Sequence, residues 1–281
     1  MSRRTSVAFQ GELGAFSQIA IQQLLGERVE VVPCPHFEAV FRALHGRQVD
    51  AAVVPIENTL HGSVHENYDL LLRYNLPIVA ETDVRIVHNL IALPGVGFRQ
   101  VRRVHSHPVA LNQCLDFFTR YPQLEKAPYY DTAGSVKMLA EKKPEGAGAI
   151  ASALAARLYG CRILKASIED DRRNYTRFFL LRRPGRPARK RVRAPKGYKT
   201  SLVFATRNVP GALFRALSAF ALRDLNLAKI ESRPLRGKPW EYLFYVDFLG
   251  RVDDAAVKNA LGHLGELADF LRVLGCYPRS K

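Results

Sequence analysis

Apolar and polar positions in the first 150 residues follow two different periods. Short, mostly apolar runs typical of buried strands occur at residues 6–9, 51–55 and 149–151. Residues 15–25 and 37–44 instead carry apolar side chains at helical spacing. Strands that alternate with helices predict an α/β domain with a mainly parallel sheet.

The pattern changes between residues 76 and 93, where two extended apolar runs follow each other with little helix between them. We expect these runs to be strands that cross from one lobe to another. The sequence therefore predicts a two-lobed domain with a central cleft.

A second, smaller domain is predicted after residue 199. Its pattern gives strands at residues 200–205, 226–231, 241–248 and 269–273, and helices at residues 210–222 and 253–264. This βαββαβ order is ferredoxin-like. Because one face and the edge strands of so small a sheet are left open, we expect pairing between chains, as a homodimer or homotetramer.

Residues 182–199 separate the two patterns and hold nine positive charges without an acidic residue. A basic segment without apolar periodicity indicates an exposed linker. We therefore place a first domain at residues 1–183, the basic linker at 184–198 and a second domain at 199–281. No aromatic platform or recognition helix accompanies the charge, so nucleic acid is not an expected partner.

Composition narrows the class of protein further. The chain has 281 residues and a net charge of +16, which attracts anions. No run approaches the roughly 20 apolar residues of a membrane-spanning helix, and no signal peptide is evident. The four cysteines are scattered and form no CxxC pair, which predicts reduced thiols in the cytoplasm and no zinc site.

Four turns between strands and helices carry a glycine or hydroxyl residue where the helix begins. They are residues 11–17, 106–108, 131–135 and 151–152. Such turns present backbone N–H groups and the positive end of a helix dipole, which suits a carboxylate or a phosphate. For any single Ser or Thr, a helix N-cap is the commoner role.

Two polar segments lie at strand ends. Residues 55–64 follow a buried strand, and residues 174–179 alternate so that Thr176 and Phe178 point to one face and Arg177 to the other. The guanidinium of Arg177 suits a carboxylate, although an ion pair with Asp170, Asp171 or Glu57 explains it equally well. His61, His65 and His107 have no evident Ser or Cys partner, so a catalytic triad is not indicated.

These segments resemble, in order, the motif series of prephenate dehydratases. The matching residues are 9–17, 55–59, 106–108 with 113–114, 131–135 and 174–178, while residues 211–213 and 229–234 resemble the phenylalanine-binding motifs of that family's ACT domain. Two positions depart from the family pattern. Thr59 replaces a frequent Ser and keeps the hydroxyl, whereas Val109 replaces a frequent Gln and loses a polar group.

The resemblance implies a periplasmic-binding-protein-like catalytic domain in two lobes, followed by a ferredoxin-like ACT domain. It also implies dehydration and decarboxylation of prephenate to phenylpyruvate in phenylalanine biosynthesis. Aromatisation drives that reaction, so no cofactor or metal is expected.

The same resemblance implies roles for individual residues. Thr176 would donate a hydrogen bond to the leaving hydroxyl, and Phe178 would pack beneath the site. The remaining site residues would be the carboxylate-binding Arg177, Ser106 and Thr132, the neutral donors Asn58, Thr59 and Gln113, and Glu57 in an orienting role, paired with Arg177 or a backbone donor.

Feedback control is implied for the ACT domain. L-Phenylalanine would bind between two chains as allosteric effector. The expected effector site consists of Gly211, Ala212, Leu213, Glu231 and Ser232.

Three alternatives remain open from the sequence. An arogenate dehydratase would use the same residues on a substrate with an ammonium in place of the keto oxygen. A two-lobed solute-binding protein coupled to an amino-acid sensor would perform no chemistry. A nucleic-acid-binding regulator is supported by charge alone.

Overall fold

The computed structural model describes residues 4–185, 197–235, 237–238 and 240–280. Its internal contacts divide the chain into two compact units. The first contains the residues up to Leu70 together with Thr82–Phe179, and the second contains Leu71–Glu81 together with the residues from Leu180 onward. The predicted basic linker lies mostly outside the described residues, at 186–196.

The elements up to residue 181 alternate between strand and helix, as the sequence predicts. The strands are β1 (Ser6–Gln10), β2 (Glu30–Cys34), β3 (Ala51–Asn58), β4 (Gly62–Ser63), β5 (Ile78–Arg85), β6 (Asn89–Ala92), β7 (Arg103–Ser106), β8 (Glu125–Pro128), β9 (Ala147–Ala151), β10 (Arg162–Lys165) and β11 (Tyr175–Leu181). The helices are α1 (Phe16–Leu25), α2 (Phe37–His45), α3 (His65–Tyr74), α4 (Pro108–Asn112), α5 (Leu115–Arg120), α6 (Thr132–Lys142) and α7 (Ala153–Leu158), with a short 3-10 helix at Phe98–Gln100.

The first lobe is built on parallel strands, with β1 between β2 and β3. The strand β11 lies beside β3. Val7, Phe9, Val53 and Val54 are fully buried, which explains why these strands are continuous apolar runs and do not alternate. The polar ends of β3 and β11 therefore lie close together at the edge of the first lobe.

The second lobe is a separate five-stranded sheet in the order β10-β6-β9-β7-β8. Its core includes Leu90, Val104, Leu111, Phe117 and Ile150. The chain enters this sheet between β5 and β6 and leaves it between β10 and β11, so the predicted crossing near residues 76–93 is confirmed. The two-lobed α/β architecture predicted from the sequence is likewise confirmed.

The second unit contains the predicted βαββαβ order. Its elements are β12 (Tyr198–Ala205), α8 (Ala212–Ala221), β13 (Leu227–Pro234), β14 (Tyr242–Leu249), α9 (Ala255–Leu267) and β15 (Phe270–Pro278). The strands pair antiparallel in the order β13-β14-β12-β15, and the helices pack on Leu202, Phe204, Val246 and Phe248 of this sheet. The ferredoxin-like prediction is therefore confirmed.

Two strands of this unit extend three or more residues beyond their predicted C-terminal ends. The strand β13 continues through Glu231 and Ser232 to Pro234, so the prediction that these two residues end the strand is wrong. The strand β15 runs to Pro278 because a register shift between Ser201 and Leu202 lets it stay paired with β12. Gly275 of this strand permits close backbone packing against Ile78.

The segment Leu71–Glu81 is held by the C-terminal unit through several kinds of contact. Gly275 pairs with Ile78, and a side chain at position 275 would collide with the Ile78 carbonyl. The buried carboxylate of Glu81 accepts from Lys199 at 2.8 Å. A continuous domain over residues 1–183 stays a prediction, because contacts group this segment with residues that follow it by more than a hundred positions.

Candidate active site

A cavity of about 560 Å³ in the first unit is lined by residues of both lobes. Gln10, Asn58 and Thr176 line it from the first lobe, while Gln113 and Thr132 line it from the second. The ends of β1, β3 and β11 supply the first group, and the helical segments after β7 and β8 supply the second. Ligand sites of open α/β sheets are typically found at such strand ends.

Thr176 and Asn58 form a hydrogen-bonded pair on the first lobe. The Asn58 side-chain nitrogen lies 2.9 Å from Oγ1 of Thr176, and the Asn58 side-chain oxygen accepts from the backbone N–H groups of Leu60 and His61 at 3.0 Å each. Those two donors fix the amide so that its nitrogen faces Thr176. Since Oγ1 of Thr176 accepts from Asn58, the hydroxyl hydrogen remains available to donate.

Phe178 lies two residues further along β11 and lines the same cavity while only 2% exposed. The alternation predicted for Thr176 and Phe178 agrees with the structure. Arg177, between them, is not among the residues that line the cavity, and its guanidinium carbon lies 4.8 Å from the centre of the Phe179 ring.

Gln113 is contacted by two histidines. Its side-chain oxygen lies 2.8 Å from Nε2 of His88, and its side-chain nitrogen lies 3.2 Å from Nδ1 of His61. His88 is 2% exposed, whereas His61 lies on the exposed loop after β3. All three side chains line the cavity.

The sequence reasoning did not single out His88. The available signal was the polar pair His88–Asn89, which interrupts an apolar stretch that continues into β6. Buried polar side chains in such a position require partners. The structure supplies one for Nε2 of His88, while its Nδ1 is buried without a hydrogen-bond partner.

Thr132 is the first residue of α6 and lines the cavity, but Asp131 provides the N-cap. The Asp131 carboxylate accepts from the Gly134 N–H at 2.7 Å. Backbone N–H groups of the first turn remain near Thr132, at the positive end of the helix. This end of the cavity suits a carboxylate of a ligand.

Burial shifts the pKa of several groups in the cleft. It lowers the pKa of His88 and of His107, which favours the neutral imidazole. It raises the pKa of Asp131, against the opposing effect of the hydrogen bond from Gly134. The cleft therefore disfavours additional charge on its own side chains.

Three other predicted residues lie outside the cavity lining. Ser106 is fully buried and donates to the Ile150 carbonyl at 2.6 Å. Thr59 donates to the Arg173 carbonyl at 2.9 Å and accepts from the Tyr175 N–H at 3.0 Å. Their hydroxyls join neighbouring segments and do not line the cavity, so their predicted roles in substrate binding stay predictions. Glu57 also lies outside the lining, and its predicted orienting role stays a prediction.

Two of the acids considered as partners of Arg177 are engaged elsewhere. The Asp170 carboxylate accepts from the backbone N–H groups of Leu115 and Asp116 at 2.7 and 3.0 Å, at the start of α5. Asp171 pairs with Arg173 at 3.2 Å. The role of Arg177 in carboxylate binding stays a prediction.

The two lobes are in direct contact beside the cavity. Ser152, the N-cap of α7, donates to the Gly14 carbonyl at 2.6 Å. Gly14 has a φ of +90°, and a Cβ atom there would lie 2.5 Å from Cα of Ala155. The glycine in the first turn is therefore required for close packing between the lobes.

His61 and His65 have the i, i+4 spacing that metal ligands on a helix can use. Within the ranges that the structure describes, no group of three His, Cys, Asp or Glu residues is close enough to hold a metal ion. No helix within those ranges is long and apolar enough to cross a membrane.

The second unit has a smaller cavity, of about 200 Å³. Gly211, Ala212 and Leu213 line it together with Trp240 and Phe244. Of the other two predicted effector residues, Ser232 pairs across the sheet with Phe244, and Glu231 forms an ion pair with Lys229 at 3.6 Å. Neither lies in the lining of this single chain.

The fold and the cleft define a two-lobed α/β protein with a ferredoxin-like C-terminal unit. Its cavity is lined by neutral hydrogen-bonding side chains together with the acidic residues Glu66 and Asp131. Residues 7–186 match the prephenate dehydratase family, and residues 200–266 match the ACT domain. The chain belongs to the prephenate dehydratase family, with the ACT domain following the catalytic region, as the sequence motifs predict.

Individual relatives agree with this assignment. The chain is 47% identical over 285 residues to "Arogenate dehydratase/prephenate dehydratase 2, chloroplastic" of Arabidopsis thaliana, covering 98% of this chain and 73% of that protein. It is 46% identical over 290 residues to "Arogenate dehydratase 2" of Petunia hybrida, covering 98% and 72% respectively.

Two solved structures are also similar over nearly the whole chain. Prephenate dehydratase from Arthrobacter aurescens in complex with L-Phe has a TM-score of 0.87 and 32% identity, covering 98% of this chain and 90% of that one. A chain described as GqqA, a novel type of quorum quenching acylase, has a TM-score of 0.88 and 35% identity, covering 98% of both chains.

Proposed function

We propose that this chain is a prephenate dehydratase, which converts prephenate to phenylpyruvate, carbon dioxide and water. The bond between the ring and its carboxylate breaks, and its electron pair enters the ring as the ring hydroxyl departs. A proton from solvent completes the water. The observation that carries the proposal is the hydrogen bond from Asn58 to Thr176, which leaves the Thr176 hydroxyl free to donate into the cavity.

Thr176 supports the departing hydroxyl by a hydrogen bond and does not itself transfer the proton. An alcohol is too weak an acid for unaided transfer, but a preorganised donor stabilises the negative charge that develops on the leaving oxygen. Asn58 acts through Thr176 as a positioning residue. Phe178 packs at the wall of the cavity, as the family resemblance implies.

Gln113 and Thr132 orient the dianionic substrate from the second lobe. Gln113 donates an amide N–H, and the first turn of α6 holds one carboxylate with its backbone N–H groups near Thr132. Neutral donors leave the second, reacting carboxylate without a fixed cation, which permits its departure as carbon dioxide. Holding both ends of the substrate in one geometry accounts for part of the rate.

Arogenate is the second candidate substrate. The relatives from Arabidopsis thaliana and Petunia hybrida carry that activity in their names. The carboxyl side chains of Asp131 and Glu66 line the cavity and offer acceptors for an ammonium group. Arogenate dehydration forms phenylalanine directly.

Turnover of both substrates by the full-length protein tests this proposal. We expect a higher kcat/KM for prephenate than for arogenate. The reverse ratio would assign the chain as an arogenate dehydratase, and turnover of neither substrate would refute dehydratase function. An acylase assay in parallel tests the activity in the name of the GqqA relative.

L-Phenylalanine is the proposed allosteric effector. The match to the ACT domain and the L-Phe complex of the Arthrobacter aurescens relative support this assignment. The effector would bind at the start of α8, where Gly211 has a left-handed backbone and leaves N–H groups accessible.

A homodimer or homotetramer remains the proposed assembly. The strand β13 is the edge of the C-terminal sheet, and Phe214 and Trp240 beside the small cavity are both 77% exposed. A second copy would cover these groups. Sedimentation equilibrium with and without phenylalanine tests this assembly, and a monomer under both conditions would contradict it. Cytoplasmic location stays a prediction, since the Arabidopsis thaliana relative is named chloroplastic.

A further inference from the structure

His88 and Gln113 form the best-defined buried polar contact in the cleft. Nε2 of His88 lies 2.8 Å from the side-chain oxygen of Gln113, and both residues are more than nine-tenths buried. A carbonyl oxygen has no hydrogen to donate, so a hydrogen bond at this distance requires the proton on Nε2 of His88. The contact therefore selects one tautomer of the imidazole.

The other ring nitrogen agrees with this tautomer. Nδ1 of His88 is buried and has no hydrogen-bond partner. A proton on Nδ1 would be a buried donor without an acceptor, which is costly, whereas a lone pair there costs less. Burial also lowers the pKa of His88, despite the opposing effect of Gln113, Glu169 and Asp170. His88 is thus neutral with its proton on Nε2.

His88 is itself firmly held. Its backbone N–H donates to Glu169 at 3.0 Å, and the Glu169 carboxylate is paired with Arg85 at 3.1 Å. The Phe16 ring contacts the imidazole edge-on, with the ring centroids 5.7 Å apart. These contacts hold the imidazole in one position at the cavity wall.

A fixed Nε2–H determines which way the Gln113 amide faces. The Gln113 nitrogen carries two hydrogens, and one of them points to Nδ1 of His61 at 3.2 Å. The other hydrogen remains available to donate into the cavity that Gln113 lines. If the amide turned over, its N–H groups would face the Nε2–H of His88, and an oxygen would face the anionic substrate.

We propose that His88 is a positioning residue for Gln113, whose amide N–H it directs toward the substrate by donating from Nε2 to the Gln113 oxygen. This inference rests on the proposed function, because it assigns Gln113 to substrate orientation. It adds a residue of the β5–β6 connection to the machinery of the cleft. His88 does not contact the reacting atoms.

Two substitutions of similar size separate this role from simple packing. His88→Gln keeps a donor near the position of Nε2, whereas His88→Asn places its amide near Nδ1 and leaves the Gln113 oxygen without a donor. We expect His88→Asn to lower kcat roughly five- to tenfold, as for loss of one neutral hydrogen bond. We expect His88→Gln to stay within about threefold of the parent.

The Gln113→Ala background provides the decisive comparison. Gln113→Ala alone is expected to lower kcat about a hundredfold. If His88 acts through Gln113, adding His88→Asn to Gln113→Ala lowers kcat no further. An equal loss from His88→Asn in both backgrounds, or equal losses from His88→Asn and His88→Gln, would overturn the proposal.

The tautomer can be measured without any catalytic assay. Histidine ring ¹⁵N chemical shifts of the full-length parent, with the His88 signal assigned by its loss in His88→Gln, are expected to show a neutral ring protonated on Nε2 at pH 7. Protonation on Nδ1 would overturn the proposal even if His88→Asn failed to fold. This measurement also stands apart from the proposed function, which turnover of prephenate or arogenate tests separately.

Discussion

The side-chain nitrogen of Asn58 lies 2.9 Å from Oγ1 of Thr176, and this contact sets the direction in which the hydroxyl can donate. The backbone N–H groups of Leu60 and His61 donate to the side-chain oxygen of Asn58 and so fix the orientation of its amide. The direction in which Thr176 donates is thus determined by Asn58, a side chain that is proposed to act through Thr176. His88 has the same relation to Gln113 on the opposite lobe.

Replacement of Thr176 tests the role of its hydroxyl. Thr176→Val keeps the shape and removes the donor, so we expect kcat to fall about a hundredfold with little change in KM. The hydrogen bond strengthens only as the leaving oxygen gains charge, which is why the loss appears in kcat. Thr176→Ser is the matched control and should retain most of the rate. Normal turnover by Thr176→Val would remove Thr176 from the mechanism.

Gly14 should be the most sensitive glycine of the first turn. In Gly14→Ala the new Cβ would lie 2.5 Å from Cα of Ala155, so we expect the lobes to separate locally and the thermal midpoint to fall by several degrees. Gly26→Ala is the control, because Gly26 has a similar positive φ of +77° with nothing within 4 Å of the new atom. Equal losses in both variants would mean that backbone strain, and not contact between the lobes, explains the effect.

Gly211→Val tests the proposed effector site. The variant should abolish inhibition by phenylalanine and leave the uninhibited rate nearly unchanged, because the added side chain fills the cavity that Gly211 lines. Gly211 has a φ of +75°, so a valine also strains the backbone. Gly197→Val imposes comparable strain at a φ of +83° without any atom within 4 Å, and it should keep its inhibition. Inhibition of Gly211→Val equal to that of the parent would exclude this site.

The pH dependence of unfolding tests the buried state of His88. Because burial lowers its pKa in the folded protein, unfolded chains bind more protons than folded ones below about pH 6.5. The contribution of His88 to stability is therefore present at neutral pH and lost as the pH falls. For a single proton the slope is at most about 1.4 kcal/mol per pH unit.

Urea unfolding between pH 7.5 and 5 measures this slope. His88→Gln should flatten the fall in the free energy of unfolding relative to the parent, while His105 and His107, whose pKa values burial also lowers, contribute equally to both proteins. Comparison of the two proteins also cancels the opposite contribution of Asp131. Identical slopes would show that His88 is not buried as a neutral ring.

The periodic pattern of apolar residues and the family motifs predicted much of the fold, because the residues that the pattern marks as apolar are the ones that are buried. The alternation along β11 correctly predicted that Thr176 and Phe178 point to one face. The apolar runs of the parallel strands correctly predicted the core. The periodic pattern could not predict where the hydroxyl of a residue at the end of a strand points. Ser106 belongs to one of the family motifs, yet its hydroxyl donates a hydrogen bond to the Ile150 carbonyl.

His88 was missed for the converse reason. The polar pair His88–Asn89 interrupts an apolar stretch, but the local pattern does not indicate that the partner of His88 is Gln113, 25 residues away. Only the three-dimensional arrangement of β6 and α4 brings the two side chains together. The identity of a hydrogen-bond partner far along the chain is not encoded in local sequence pattern.

The grouping of Leu71–Glu81 with the C-terminal unit limits how this enzyme can be dissected or recombined. Truncation after residue 183 would remove Lys199 and leave the Glu81 carboxylate, which is 5% exposed in the intact chain, without its ammonium. It would also remove the strand residue Gly275 that pairs with Ile78. Exchange of regulatory modules between relatives must therefore transplant two stretches of sequence together, with the inner one inserted inside the catalytic gene segment.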